Sequence, residues 1–435
     1  MRQHLKSRLG RLGSLILAVL AVGTTAIAVP AHASSDTPLS DVAMESAALQ
    51  MAVDFKLDPT EARHRISVQT DLSGIPDAAA RFLDSTFAGS YFDISGDGAL
   101  VITGTDSGAL NRFLDNLGAP TNVRAEEVKF SRDELSGSIR KAALQLLKDH
   151  SIDVIAMMVN TESNRLEVSV DEKLAQQVKT LMVGMAEEVI VVADKPRLAD
   201  VCNTTLGALG CSSPMRGGIY IIGAGSSACS SGFMVHSASD GLPYVLTAAH
   251  CIRSVGDTQG FSGMRNDGFT AGIGFAHNRY YNATLGRDSG IIHVTNPYWG
   301  NGLNWTVYVM SGTYVVNGVT YTTGTNQSYS IAPTPGNSDQ IPNTPSGKYL
   351  CKTGTSSGTT CGPYLGSEIG TFYRRVRYKV CSGDSGAPVY IQNRGYGIHS
   401  ESVRAGGCTD VSNAGEYGLY EDLYFAMADL GVVLN

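Results

Sequence analysis

The sequence predicts two folded units in succession, an α+β unit over residues 34–199 and an all-β unit over 200–435. Three observations carry that expectation. Helical periodicity is confined to the front region, the back region reads as short β-rich runs between turn residues, and all eight cysteines lie after position 200. A length of 435 residues suits two domains and a processing segment.

Residues 1–33 read as a signal peptide. Lys6, Arg8 and Arg11 form a basic start, residues 15–22 a short apolar core, and Ala31-His32-Ala33 a small-x-small cleavage site. Gly23, Thr24 and Thr25 interrupt the apolar run, and no later stretch reaches the roughly 18 apolar residues a span needs. Export is expected, with no membrane attachment after signal removal. In 131–148, Leu135, Ile139, Ala142, Ala143 and Leu146 share one helical face, and Ser131 with Glu134 forms a capping box. Residues 152–159 read as a strand, 165–170 as a strand with Leu166, Val168 and Val170 on one side, 171–186 as a helix and 189–192 as a strand. This front region holds 26 acidic against 16 basic side chains. No internal repeat is evident in it.

Beyond 200, the runs 217–222 and 232–236 read as strands, and Asn317-Gly318 joins the arms of a hairpin over 314–321. Residues 321–347 read as a surface loop or hairpin and 421–430 as a terminal helix. An even cysteine count in an exported chain makes disulfides the default, and no Cys pair has metal-ligand spacing. A net charge of −7 with no basic stripe leaves no footprint for nucleic acid.

A serine hydroxyl becomes a nucleophile at neutral pH when a base adjoins it and a carboxylate orients the base. Three segments supply these groups: Thr247-Ala248-Ala249-His250-Cys251, Arg287-Asp288-Ser289-Gly290, and Gly383-Asp384-Ser385-Gly386-Ala387-Pro388. Their order, His then Asp then Ser, differs from that of the α/β-hydrolases and the subtilisins. Asp288 precedes Ile291-Ile292, as a site acid opening a buried strand would. Asp257 and Asp267 also lie between His250 and Ser385, and the residues alone leave that choice open.

These segments resemble the chymotrypsin-like serine peptidases, in the streptogrisin and α-lytic protease branch. The resemblance covers residues 216–435, from Arg216-Gly217-Gly218 onward, and departs at Ala387, where that family usually has glycine. It implies two six-stranded antiparallel β-barrels with a C-terminal helix and a site between them. It also implies that His250 is general base and then acid, that Asp288 orients it, that Ser385 forms an acyl-enzyme, and that the Gly383 and Ser385 N–H groups make the oxyanion hole. The implied disulfides are Cys229–Cys251, Cys351–Cys361 and Cys381–Cys408. Cys202 and Cys211 remain to close a short loop, which cleavage near Ala199 would keep and cleavage near Arg216 would discard.

The front region resembles the long prosegments of the same branch, which act as folding chaperone and product-like inhibitor; a retained binding domain is the alternative. Ser382 and the run 397–402, with His399, Ser400 and Ser402, would line the primary pocket and resemble the glutamyl-specific bacterial endopeptidases. Lys379 would add positive potential. Glu401, turned inward, would favour a basic residue instead, an apolar preference is common in the branch, and His399 also reads as a buried strand histidine. The expectation is a secreted, monomeric serine endopeptidase, made as a proenzyme, that acts on polypeptides without metal or organic cofactor. An inactive protease-fold binding protein and a non-proteolytic esterase are the rivals.

Overall fold

The computed structural model describes residues 42–434 apart from 119, 195–197, 200–213, 226–227, 257–258, 265–269, 301–305, 310–312, 324–326, 332–343, 393, 405–406 and 410–414. The expected signal peptide, the Cys202–Cys211 pair, Asp257 and Asp267 lie outside the described residues.

The front region contains a repeat that its sequence concealed. Helix Ile75–Leu83, strands Phe87–Phe92 and Leu100–Gly104, helix Ser107–Asn116 and strand Val123–Glu127 form one α-β-β-α-β unit. Residues 132–149, strands Ala156–Asn160 and Arg165–Asp171, helix Ala175–Leu181 and strand Val189–Asp194 form a second. In each, the first strand pair is antiparallel and the second parallel. The expectation of no repeat fails because the shared feature is connectivity. Phe-Ala-Gly-Ser-Tyr-Phe and Ala-Met-Met-Val-Asn occupy equivalent strands with no common pattern.

The expected helix over 131–148 begins at the Ser131–Glu134 capping box, then passes through a π-helical turn, Leu135–Ile139, before continuing as Arg140–Asp149. A π turn inserts one residue and rotates everything after it by about 100°. Ala143 is buried as expected, while Leu147 takes the buried place expected of Leu146 and Ala142 is exposed. In the strand Arg165–Asp171 the alternation holds as read, with Leu166, Val168 and Val170 fully buried.

Two helices that the sequence pattern did not announce precede these units. Val42–Phe55 buries Ala43, Ala47, Ala48 and Leu49 against the second barrel, where small side chains permit close approach. Pro59–Asp71 starts at Asp58, whose side chain caps Thr60 N, with proline at its first position.

The back region is all-β with a C-terminal helix, Leu423–Leu430. One sheet closes into a six-stranded barrel, because Pro388–Ile391 pairs with both Tyr349–Gly354 and Arg394–Val403. The other sheet differs from the second closed barrel that the resemblance implied. Ala228–Ser230 is one end of it and Val432–Val433 the other, paired outside Met234–Ser237; Ala228–Ser230 and Met234–Ser237 are consecutive in the chain, and residues 231–233 bend between them. The bend is held by backbone bonds to both neighbours, Ser231 N to Ile219 O and Gly232 N to Leu246 O. The hairpin at Asn317-Gly318 is present, with Val316 opposite Val319 and positive φ at both turn residues.

Both front units meet the closed barrel through the same element, their first strand. Phe92 N donates to Ser346 O at 2.8 Å, and Ile369 N donates to Met157 O at 2.6 Å. The Gln69 side chain also mimics a strand, donating to Gly347 O at 3.1 Å and accepting from Tyr349 N at 3.0 Å. Buried Arg375 joins the two regions electrostatically, reaching Glu368 at 2.8 Å and both Glu167 and Ser169 at 3.3 Å. Replacing Arg375 by Met should cost about 3–5 kcal/mol by stranding buried Glu368, measured by urea unfolding of the full chain carrying Ser385→Ala.

Candidate active site

His250 stands on the single 3-10 turn Ala249–Cys251, directly after the strand Pro243–Thr247. Tyr244, Val245 and Leu246 are buried and anchor that strand, so the turn is placed by core packing. Asp288 is the second residue of Arg287–Val294, which pairs with the same strand. Its Oδ1 accepts from His250 N at 2.8 Å, and its Oδ2 lies 2.6 Å from His250 Nδ1. A proton held on Nδ1 by this contact makes Nε2 the basic atom of the ring.

Asp288 has no solvent exposure. Burial opposes its charge, but the imidazole and hydrogen bonds from His250 and Ser400 outweigh it and hold the carboxyl below its ordinary value. Behind Asp288 stands buried Glu421, whose Oε2 accepts from Asp288 N at 2.7 Å. Arg287 bridges Glu421 at 3.3 Å and Asp429 at 2.8 Å, with its guanidinium 3.7 Å from the Phe372 ring centroid. Burial pushes Glu421 up to about 8.

Ser385 is buried in the turn leading into Pro388–Ile391. Its carbonyl accepts from Ser230 N at 2.8 Å and lies 4.0 Å from Cys251 Sγ, so the serine turn rests against the turn that carries His250. Ser230, which no motif marked, clamps the turn again by donating from Oγ to Gly383 O at 2.9 Å. Gly383 has φ +102°, and a Cβ there would lie 2.2 Å from Ser356 Oγ; Gly386 has φ +87° with Thr247 Oγ1 equally close.

The turn is fixed from beneath by Asp384. Its carboxylate receives Lys352 Nζ at 2.8 Å, Ser357 Oγ at 2.6 Å and Cys381 N at 2.8 Å. Neither Lys352 nor Asp384 has any exposed side-chain surface. Burial works against the Asp384 charge, and Lys352 with the hydrogen bonds reverses it, leaving the carboxyl below its ordinary value. Lys352 follows Cys351 in a strand, and nothing in its sequence context separates it from a surface lysine.

The candidate pocket residues divide. Ser400 does not sit with the others: its Oγ donates to Asp288 Oδ2 at 2.5 Å and meets Tyr373 OH at 3.1 Å. Strand alternation turns it away from His399, and a bulge between His399 and Glu401 leaves it opposite no partner residue. Glu401 shares the Tyr373 hydroxyl, on the side of Asp288. His399 is fully buried, with Nδ1 3.3 Å from Tyr378 OH, and its backbone bonds Gly386 N and Ala387 O. Ser382 Oγ accepts from Arg404 Nη2 at 3.2 Å, and Lys379 is exposed. Arg404, which no motif marked, lies just beyond the strand Arg394–Val403.

Leu198–Ala199 forms a short strand on this same edge, with Leu198 opposite Ser402 and Ala199 opposite Glu401. Two cavities, about 650 Å³ beside Ile222 and Phe261 and about 160 Å³ beside Phe87 and Tyr364, lie away from Ser385. Among the described residues three disulfides form, Cys229–Cys251, Cys351–Cys361 and Cys381–Cys408. The first ties the histidine turn to the residue before Ser230, and the third tethers the start of the serine turn.

Replacing Lys352 by Met should destabilise the fold by about 3–5 kcal/mol and slow fluorophosphonate labelling of Ser385, with Lys352→Arg partly restoring both. Urea unfolding and labelling rates measure this. Glu421 gives a pH signature of unusual sign. Its folded value of about 8 exceeds the ordinary 4.5, so the stability it contributes is complete below 4.5 and lost as pH rises through 8. In Glu421→Gln that loss should vanish. The variant should therefore gain on the parent between those pH values in urea unfolding of Ser385→Ala proteins.

Residues 210–424 match the family model described as Trypsin. A glutamic acid specific serine protease, described as using a histidine triad in substrate binding, is 22% identical, with 51% of this chain and 100% of that one covered at TM-score 0.35. Thermobifida fusca Protease A is 18% identical over 51% of this chain and 98% of that one, at TM-score 0.33. Nocardiopsis Protease is 18% identical over 51% and 100%, at TM-score 0.34. No curated protein sequence matches the chain. On the family match, residues 210–424 are a Trypsin-family domain with the chymotrypsin-like fold, and the protein is a serine endopeptidase, a hydrolase.

Proposed function

We propose that the protein is an exported proenzyme of the streptogrisin and α-lytic protease branch, in which His250, Asp288 and Ser385 cut peptide bonds and residues 34–199 are a prosegment. The observation that carries the reading is the pairing of His250 Nδ1 with buried Asp288 at 2.6 Å, beside a turn that presents Ser385. In the first step Ser385 Oγ adds to the substrate carbonyl carbon while His250 takes its proton. The proton then passes to the leaving amine as the C–N bond breaks. Water, deprotonated by His250, releases the acyl group. The N–H groups of Gly383 and Ser385 stabilise the oxyanion, each worth about 3 kcal/mol. Asp288 holds the imidazole tautomer and favours the imidazolium that forms.

The three disulfides fit an oxidising, extracellular location, and among the described residues no helix is long and apolar enough to cross a membrane. A prosegment is favoured by the front units' docking on the barrel and by the pairing of Leu198–Ala199 with the strand beside the site, where substrate would add. The preferred residue before the scissile bond is acidic, held by Ser382, His399 and Ser402; Ser400 belongs instead to the support of Asp288.

A fluorophosphonate should form an adduct on Ser385 of the processed enzyme, read by peptide mass spectrometry. Kinetics on a peptide substrate should show a drop of at least ~10⁴-fold in kcat/KM for His250→Ala. Absence of the adduct would leave a binding protein with a protease fold.

A further inference from the structure

We propose that Tyr378 makes His399 a donor toward the substrate, by donating from its hydroxyl to Nδ1 and so keeping the imidazole proton on Nε2. This rests on the acidic preference read above and deepens it by one positioning residue.

The first observation is geometry. His399 is fixed at its backbone, where its N donates to Ala387 O and its O accepts from Gly386 N, both at 2.8 Å. The ring is fully buried, so its protein neighbours set its tautomer. Tyr378, likewise without exposure, meets that ring edge-on, with centroids 5.8 Å apart and its hydroxyl 3.3 Å from Nδ1. Tyr378 is itself held in place. Thr409 Oγ1 donates to its carbonyl at 3.1 Å and accepts from Val380 N at 2.8 Å. A Cβ on Gly418 would lie 2.5 Å from the tyrosine ring, so glycine in that strand gives the ring its room.

The second observation is charge. A hydroxyl and an imidazole nitrogen can share a proton in either direction. Lys352 Nζ stands 5.7 Å from the Tyr378 ring centroid. A cation attracted to the ring face draws electron density from the phenol, which makes its O–H the better donor and its oxygen the poorer acceptor. The ammonium that neutralises Asp384 thus also biases Tyr378 to donate to Nδ1. The ring proton is left on Nε2, directed away from Tyr378. A donor there prefers a carboxylate to a neutral acceptor, since an ionised partner roughly doubles the strength of the bond. The opposite tautomer would present a lone pair and repel an acid.

Tyr420 supplies the contrast. It lies opposite His399 in the adjoining strand and is also fully buried, yet its hydroxyl has no hydrogen-bond partner among the described residues. Its phenol packs without acting on the tautomer.

The test compares peptides that differ only before the scissile bond, cut by the processed enzyme. Tyr378→Phe should lower the Glu-to-Leu ratio of kcat/KM by roughly 10-fold, and Tyr420→Phe should leave it unchanged. In a His399→Phe background, Tyr378→Phe should cause no further fall, because the ring through which it acts is gone. NMR of nitrogen-labelled histidine in the Ser385→Ala protein should find the His399 proton on Nε2, and this needs no Tyr378 variant to fold. An equal fall on both peptides, an additive fall in the double variant, or a proton on Nδ1 would each overturn the proposal. A parent enzyme with no preference for Glu over Leu would instead overturn the acidic reading on which it rests.

Discussion

A buried ion pair, Lys352 with Asp384, is the constraint on which the rest of this molecule depends. Asp384 sits between Gly383 and Ser385, so whatever fixes its carboxylate fixes the two peptide units on either side of it. A lone carboxylate there would carry a desolvation penalty of several kcal/mol. Lysine and the hydroxyl of Ser357 offset that penalty from within the same barrel. The cation is internal, available as soon as the barrel closes, and independent of any chain end created by cleavage. The serine turn is thus already assembled while the front region is attached. On the proposed reading, restraint of the precursor has to come from occupation of the cleft.

The architecture around the cleft is consistent with that division of labour. The open sheet supplies His250 and Asp288 and the closed barrel supplies Ser385, so the site exists only where the two meet. Ser230, at the end of the open sheet, bonds both Gly383 and Ser385 of the other barrel. Contacts of this kind join residues more than 150 positions apart, and such non-local topologies form slowly because loop closure precedes any contact. On the proposed reading, a front unit whose first strands bond to the barrel would offer a template for that closure.

Much of the site was legible in the sequence, and the reason is local. Thr247-Ala248-Ala249-His250-Cys251 and Gly383-Asp384-Ser385-Gly386 are contiguous motifs whose turns require those residues in that order. Asp288 was favoured by the apolar Ile291-Ile292 that follow it, but only the fold sets its carboxylate against His250. What the sequence hid depends on long-range burial. Lys352, Glu421 and Arg404 are ordinary charged residues until the fold desolvates them. Ser400 was misjudged because a bulge, which shifts the pairing by one residue, cannot be seen in an alternating pattern. The same one-residue logic moved the helix face after the π turn. The repeat stayed hidden because two cores of different residues can share one path of the chain.

That repeat provides a pair of equivalent handholds on one barrel, at Ser346 and at the Glu368–Ile369 turn. Each alone is a short stretch of strand pairing that would open readily. Joined in one chain they act as a two-point attachment, where letting go at one site leaves the other holding the first within reach. Cutting the connection to the barrel would not by itself separate the front units from it. Dissociation would need both grips, the docked helix Val42–Phe55 and the Gln69 and Arg375 contacts to open together. On the proposed reading, the duplicated fold would slow release of the front region more than a single unit of the same size.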